Sequence, residues 1–201
     1  WKRCVREKTS AQQLADMTGR NVEWVCDPTI LHDKEFWSEF AEGVRTPKGK
    51  YLLCYFLENK PWYFDYAKKL ADRLHLRIKL IPQKWDYLSN ENIIQYAVGP
   101  KEFVALFENA EYVLTDSYHG SIFSLIFEKS FQYLLRFEKN DPNSQNVRID
   151  SLFGYLEITD RIVAENSTTE IETEIKNYSE ISCRLNDFRV RSCGFLEKSL
   201  R

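Results

Sequence analysis

Apolar positions along this chain recur with two spacings, and the spacing changes at nearly every polar break. The segment "RCV" opens a short apolar stretch, and "REKTSAQQLADMTG" follows it with helical spacing. Thr9 or Ser10 is expected to cap that helix, with Gln12 or Gln13 closing a capping box, and Gly19 to stop it. "VEWVC" predicts a strand ending at "DPT", and "KEFWSEFA" a short helix with Phe36, Trp37 and Phe40 on one face. After the "TPKGK" turn, "YLLCYFL" is a continuous apolar run of the kind a parallel sheet buries on both faces. "NKPWYFDYAKKLADRLH" has Pro61 in its first turn and Tyr63, Tyr66, Ala67, Leu70 and Leu74 at helical spacing. "LRIKLIP" alternates apolar and basic residues, as a half-exposed strand ended by Pro82 does.

Pro100 is expected to start a further helix, with Phe103, Leu106, Phe107 and Ala110 inward. "YVLT" (112–115) then predicts a strand, about 119–128 a helix, and "FQYLL" (131–135) a second strand. Two strands joined by so compact a helical segment make a right-handed crossover onto a parallel sheet. The tail from Ser167 has a capping box in "STTE" and Ile171, Ile175, Tyr178, Ile181, Leu185 and Phe188 in helical phase. The fold class expected is α/β, a Rossmann-like parallel sheet with helices on both faces. It is taken as a single domain over 1–201 with a helical tail over about 167–201.

Composition supports a packed domain: 43% hydrophobic and 14% aromatic, with 7 glycines and 6 prolines in 201 residues. A net charge of -2 lacks the basic excess of a nucleic-acid binder. No apolar run approaches the roughly 20 residues of a transmembrane helix, and the first residues do not read as a basic-then-apolar signal segment. Residue 1 is Trp, which suggests the later part of a longer protein, with missing residues before it. Five cysteines without a C-x-x-C spacing fit a reducing cytosol.

Open parallel sheets bind ligands at the carboxyl ends of their strands. Arg6, Asp27, Glu58, Asn59, Gln83 and the knot Asp116 to His119 all follow predicted strands and are expected to share one edge. The knot also starts a helix, where the dipole favours an anion such as phosphate or carboxylate. Ser117 and Tyr118 add hydroxyl donors, Gly120 removes a side chain that would block close approach, and His119 can deliver a proton. The competing reading makes Ser117 an N-cap and His119 an ordinary surface residue. His75 suits a helix end, His32 follows "DPTIL", and no His/Asp/Glu set has metal-ligand spacing.

Five stretches, in order, resemble the polysaccharide pyruvyl transferase family: "CVREKTS", "VCDPTIL", "YLLCYFL", "GPKEFVALFENAEYVLTDSYHGSIFSLIFEKSF" and "NVRIDSLFGYLEITDR". They span most of residues 1 to 161. The resemblance implies the carboxyl-terminal, donor-binding half of a GT-B-like fold. It implies transfer of the enolpyruvyl group of phosphoenolpyruvate to two hydroxyls of a saccharide acceptor, in cell-surface polysaccharide synthesis. His119 matches the family's catalytic histidine. Arg6, Arg148, Asn143 and Ser144 are implied at the donor, beside Ser117, Tyr118 and Gly120 of the knot. No metal or organic cofactor is implied, and the location expected is the cytoplasm or its inner membrane surface.

One departure stands out, because well-known members carry an arginine where this chain has Ser117; the donor then needs another cation, with Arg6 and Arg148 as candidates. Two other readings stay open. One is a nucleotide-sugar glycosyltransferase of the same fold. The other is a non-catalytic module that binds a sugar or a partner protein, its tail helix packing on a missing amino-terminal domain.

Overall fold

The computed structural model describes residues 2–81, 97–138, 141, 144–167, 174–175 and 177–200. Pro82 and Gln83, Asn143, and Thr168 to Ile171 of the tail lie outside the described residues. The chain divides into two compact units, one of residues 34–136 and 160–176, the other of residues 1–33, 137–159 and 177–201.

The first of these holds the sheet. Its strands are β3 (Tyr51–Tyr55), β4 (Arg77–Ile81), β5 (Tyr112–Thr115), β6 (Ser130–Leu134) and β7 (Ile162–Val163), in the order β4-β3-β5-β6-β7 and all parallel. The helices α2 (Lys34–Phe40), α3 (Pro61–Leu74), α4 (Pro100–Glu108) and α5 (Tyr118–Ile126) belong to the same unit. This is the Rossmann-like α/β architecture that the pattern predicts.

Alternation along the strands explains why both faces are covered. Leu52, Cys54 and Phe56 join Tyr63, Ala67 and Leu70 of α3 in one core cluster, together with Tyr112, Leu114 and Leu134. The odd positions face the other way. Tyr51 donates its hydroxyl to the Leu106 carbonyl at 2.8 Å, and the Tyr55 ring meets Phe103 at 4.9 Å. Phe123 of α5 completes that layer, 5.6 Å from Phe103 and 5.1 Å from Trp37 of α2. Leu52, Leu53, Val113, Leu114 and Phe131 are wholly buried, which is why a run such as "YLLCY" carries no polar stripe. β4, at the edge of the sheet, is exposed at Arg77 and buried at Leu80 and Ile81.

The second unit carries β1 (Cys4–Val5) and β2 (Glu23–Trp24), which pair in parallel with each other as a separate two-stranded sheet. The expectation that Arg6 and Asp27 share an edge with Glu58 and Asp116 is therefore corrected: they follow strands of a different sheet. The longer apolar run "VEWVC" yields only two paired residues, because the Cys26 N–H goes to the Ser192 hydroxyl at 2.9 Å instead of to a strand.

α1 (Lys8–Thr18) ends on Gly19 at φ +62°, as predicted, but its start differs. Glu7 is the N-cap without a side-chain bond, and Thr9 and Ser10 lie inside the helix. The Lys8 N–H is satisfied by Ser151 Oγ at 3.1 Å, so a distant hydroxyl replaces the local cap. That serine lies on α6 (Asn146–Leu156), a helix the sequence reading does not assign, although Ile149, Leu152, Phe153 and Leu156 bury one helical stripe.

The last helix, α7, covers Tyr178–Leu200. It begins later than Ser167; residues 174 and 175 are non-helical, and Ile175 donates its N–H to Ser130 Oγ at 3.3 Å. Ile181, Leu185, Phe188 and Ser192 form its buried stripe. Phe188 meets Trp24 at 4.6 Å and Tyr155 at 5.0 Å.

Candidate functional site

Strand order reverses beside β3: β4 lies on one side of it and β5 on the other. In parallel sheets that reversal opens a crevice past the carboxyl ends of the two strands. The turn after β3 and the turn after β5 flank it here, and Asp116 ties them together. Its carboxylate, 1% exposed, accepts the N–H of Leu57 at 2.6 Å and of Glu58 at 3.0 Å. Burial pushes its pKa up; the two backbone bonds and the Arg136 charge oppose the shift without cancelling it. The carboxylate is thus spent on holding two loops in register.

Thr115, the last residue of β5, performs a similar task one position earlier. Its hydroxyl donates to the Tyr55 carbonyl at 2.6 Å and accepts the Ser117 N–H at 3.1 Å. Ser117 is the N-cap of α5, its hydroxyl accepting the Gly120 N–H at 3.4 Å. It also bonds the Tyr55 phenol, which burial nonetheless pushes above its ordinary pKa. The cap reading of Ser117 therefore holds, and its hydroxyl is buried.

Gly120 has a different reason from the one expected. A Cβ there would lie 2.4 Å from Thr115 Oγ1 and 3.0 Å from Thr115 Cβ and Cγ2. The glycine lets the helix close onto the strand, and the space in front of it is already filled by protein.

With these groups locked, the first turn of α5 presents Tyr118 and His119. Tyr118 is half-buried and His119 exposed, their rings edge-to-face at 5.6 Å. The imidazole is outside the hydrocarbon core, at the positive end of a helix whose remaining residues, Gly120 to Ile126, are all buried. A proton donor held on a rigid helix start is what acid catalysis requires.

Of the other predicted site residues, Arg6, Ser144 and Arg148 are described; they belong to the second unit, where each has a local partner. Arg6 pairs with Asp27, a carboxylate 2% exposed that also accepts the Thr29 N–H at 2.9 Å. Arg148, in the first turn of α6, donates from Nε to Glu7 Oε1 at 3.1 Å. Ser144 Oγ accepts the Asn146 N–H at 3.2 Å. Arg6 and Arg148 thus each already serve a carboxylate. His75 closes α3 in the left-handed region at φ 55°, and the His32 carbonyl accepts from Arg189. No group of three His, Cys, Asp or Glu side chains that would hold a metal occurs among the described residues. None of the helices among the described residues is long and apolar enough to cross a membrane.

Lys60 and Arg136 also stand at this edge, following β3 and β6 as Asp116 follows β5, and the sequence reading does not single them out. The signal was their position after a strand.

The family model for polysaccharide pyruvyl transferase matches residues 2–133, more than half of the chain, and the chain belongs to that family. Neither a curated protein nor a solved structure matches it.

Proposed function

We propose that this member of the polysaccharide pyruvyl transferase family moves the enolpyruvyl group of phosphoenolpyruvate onto two hydroxyls of a saccharide, giving a pyruvate ketal and inorganic phosphate. The observation that carries the proposal is the exposed His119 in the first turn of α5, beside the strand-order reversal.

An enol ether becomes electrophilic only when its methylene carbon gains a proton, which leaves positive charge shared between the central carbon and oxygen. His119 as imidazolium gives that proton. The first saccharide hydroxyl then adds to the central carbon. Phosphate leaves with its ester oxygen, and the second hydroxyl closes the ketal. Of the two hydroxyl protons released, one restores the imidazolium and the other leaves with phosphate, so the balance is complete without a metal or organic cofactor. The dipole of α5 stabilises charge on the departing phosphate; a comparable anion-stabilising donor is commonly worth about 3–4 kcal/mol.

Ser117, Tyr118 and Gly120 shape the turn that presents His119, and a role for Arg6, Arg148, Ser144 and Asn143 at the donor rests on the family resemblance alone. The test is phosphate release from phosphoenolpyruvate with a panel of oligosaccharides bearing free hydroxyl pairs, followed by mass spectrometry of the saccharide. Ketal formation that vanishes in His119→Gln is the expected result. Wild-type activity in that variant, or glycosyl transfer from a nucleotide sugar in place of ketal formation, removes the proposal.

A further inference from the structure

β3 ends at Tyr55, and Pro61 starts α3, so a 14-residue helix opens at the same sheet edge as α5. No side chain caps α3, and its N-cap residue is Lys60. Unsatisfied N–H groups and the positive end of the dipole make such a start receptive to an anion.

Two independent observations point to a ligand there. The Lys60 ammonium is held at this edge, donating to the Arg136 carbonyl at 2.6 Å and lying 5.9 Å from the Tyr63 ring centre. Among the described residues it forms no ion pair. Tyr63, in turn, is wholly buried, yet its hydroxyl has no hydrogen-bond partner among the described residues. Tyr63 stands in the first turn of α3, where this edge begins, and Asp116, Tyr133, Arg136 and Glu58 are the charged or titratable groups that act on its hydroxyl. Buried hydroxyls almost always find partners, and an orphan at a ligand crevice marks a partner that arrives from outside.

We propose that Lys60 and Tyr63 anchor the anionic group of the donor. The ammonium takes the phosphate or carboxylate, and the Tyr63 hydroxyl donates to the same group. Asp116 positions the anchor by fixing the turn that leads from β3 to Lys60, and it makes no contact with the donor itself. In this arrangement the cation lies on α3, within the same unit as His119, and Ser117 is left to its role as a cap. The proposal rests on the reading of this edge as the donor site.

Calorimetric titration of the 201-residue chain with phosphoenolpyruvate, inorganic phosphate and pyruvate tests it. Lys60→Met is expected to weaken phosphoenolpyruvate binding by about tenfold or more, as loss of a charged hydrogen bond does. Lys60→Arg restores most of the affinity, Tyr63→Phe weakens it less than Lys60→Met, and Lys69→Met, an exposed lysine on the same helix, leaves it unchanged. Loss confined to the phosphate titration assigns the anchor to phosphate, and loss confined to pyruvate assigns it to carboxylate. Lys60→Gln, checked by circular dichroism, serves if the methionine variant does not fold. Wild-type affinity in Lys60→Met and Lys60→Gln, or no binding of any of the three anions to the wild type, overturns the proposal. If phosphate binding depends on Lys60 while phosphoenolpyruvate binds no better than phosphate, the anchor stands and the enolpyruvyl donor falls.

Discussion

Gly120 and Thr115 meet so closely that a methyl group on the glycine would sit 2.4 Å from the threonine hydroxyl. The hydroxyl has no freedom to yield, being bonded to both the Tyr55 carbonyl and the Ser117 N–H. Helix propensity favours alanine over glycine by about 1 kcal/mol. Overpacking of this kind costs about 1–3 kcal/mol and prevails. Gly120→Ala is therefore expected to lower stability in urea. Thr115→Ala in the same chain should lower it by less than the two single effects added together, because the clash disappears with the hydroxyl. Strict additivity of the two changes would refute this account of the corner.

Asp116 links pH to stability. Its pKa is raised on folding, so the folded state holds the proton more firmly than the unfolded chain. Stability contributed by such a group is greatest below the ordinary carboxylate value of about 4 and falls as pH rises toward the folded value. Asparagine offers one carbonyl to two backbone N–H donors, so Asp116→Asn should cost about 1–3 kcal/mol. Urea titrations at several pH values are expected to show the gap between wild type and variant narrowing as pH rises through that window. A gap that widens instead means that the backbone bonds outweigh desolvation.

The Arg6–Asp27 pair tests whether Arg6 is held by structure. Asp27 is buried and Arg6 about one-third exposed at its side chain. Removing the guanidinium from a buried partner costs about 3–5 kcal/mol, and partial exposure reduces this. Arg6→Met is expected to destabilise the chain by about 1–3 kcal/mol on those grounds, and adding Asp27→Asn should recover much of the loss. Recovery measured by thermal unfolding confirms that Arg6 neutralises Asp27; no recovery leaves the arginine to other partners.

The cysteines should separate by reactivity. Cys4 and Cys183 are exposed, while Cys26 and Cys54 are buried. Burial pushes both buried thiols above their ordinary pKa, with a Ser192 hydrogen bond opposing the shift at Cys26. Only the thiolate alkylates. Iodoacetamide at mild alkaline pH, read by mass spectrometry, is expected to modify Cys4 and Cys183 first, and Cys26 and Cys54 only after unfolding. Early labelling of Cys54 would contradict the packing of β3 against α3.

Much of the sheet-bearing unit was legible because its signals are local. "YLLCY" and "YVLT" carry no polar stripe, Pro61 and Pro100 stand in first turns, and α3 keeps its inner positions in phase. Ser117 as a cap was equally legible. The reason for Gly120 was not, since it depends on a threonine side chain across the strand–helix corner. The stripe of α6 stood in the sequence at Ile149, Leu152, Phe153 and Leu156, but no cap or glycine stop announced it; the helix ends with Glu157 in the left-handed region.

Taken alone, the order and spacing of residues determined most strands and helices of the sheet-bearing unit and its parallel α/β class, and the motifs carried the family resemblance and the histidine at the start of α5. Tertiary structure decided that β1 and β2 pair apart from the main sheet, that Ser151 caps α1, and that Lys60 and Tyr63 share an edge with His119. The physical reason is range. Period and capping act within a few residues, whereas strand partners and hydrogen-bond acceptors are chosen by what burial brings together from distant parts of the chain.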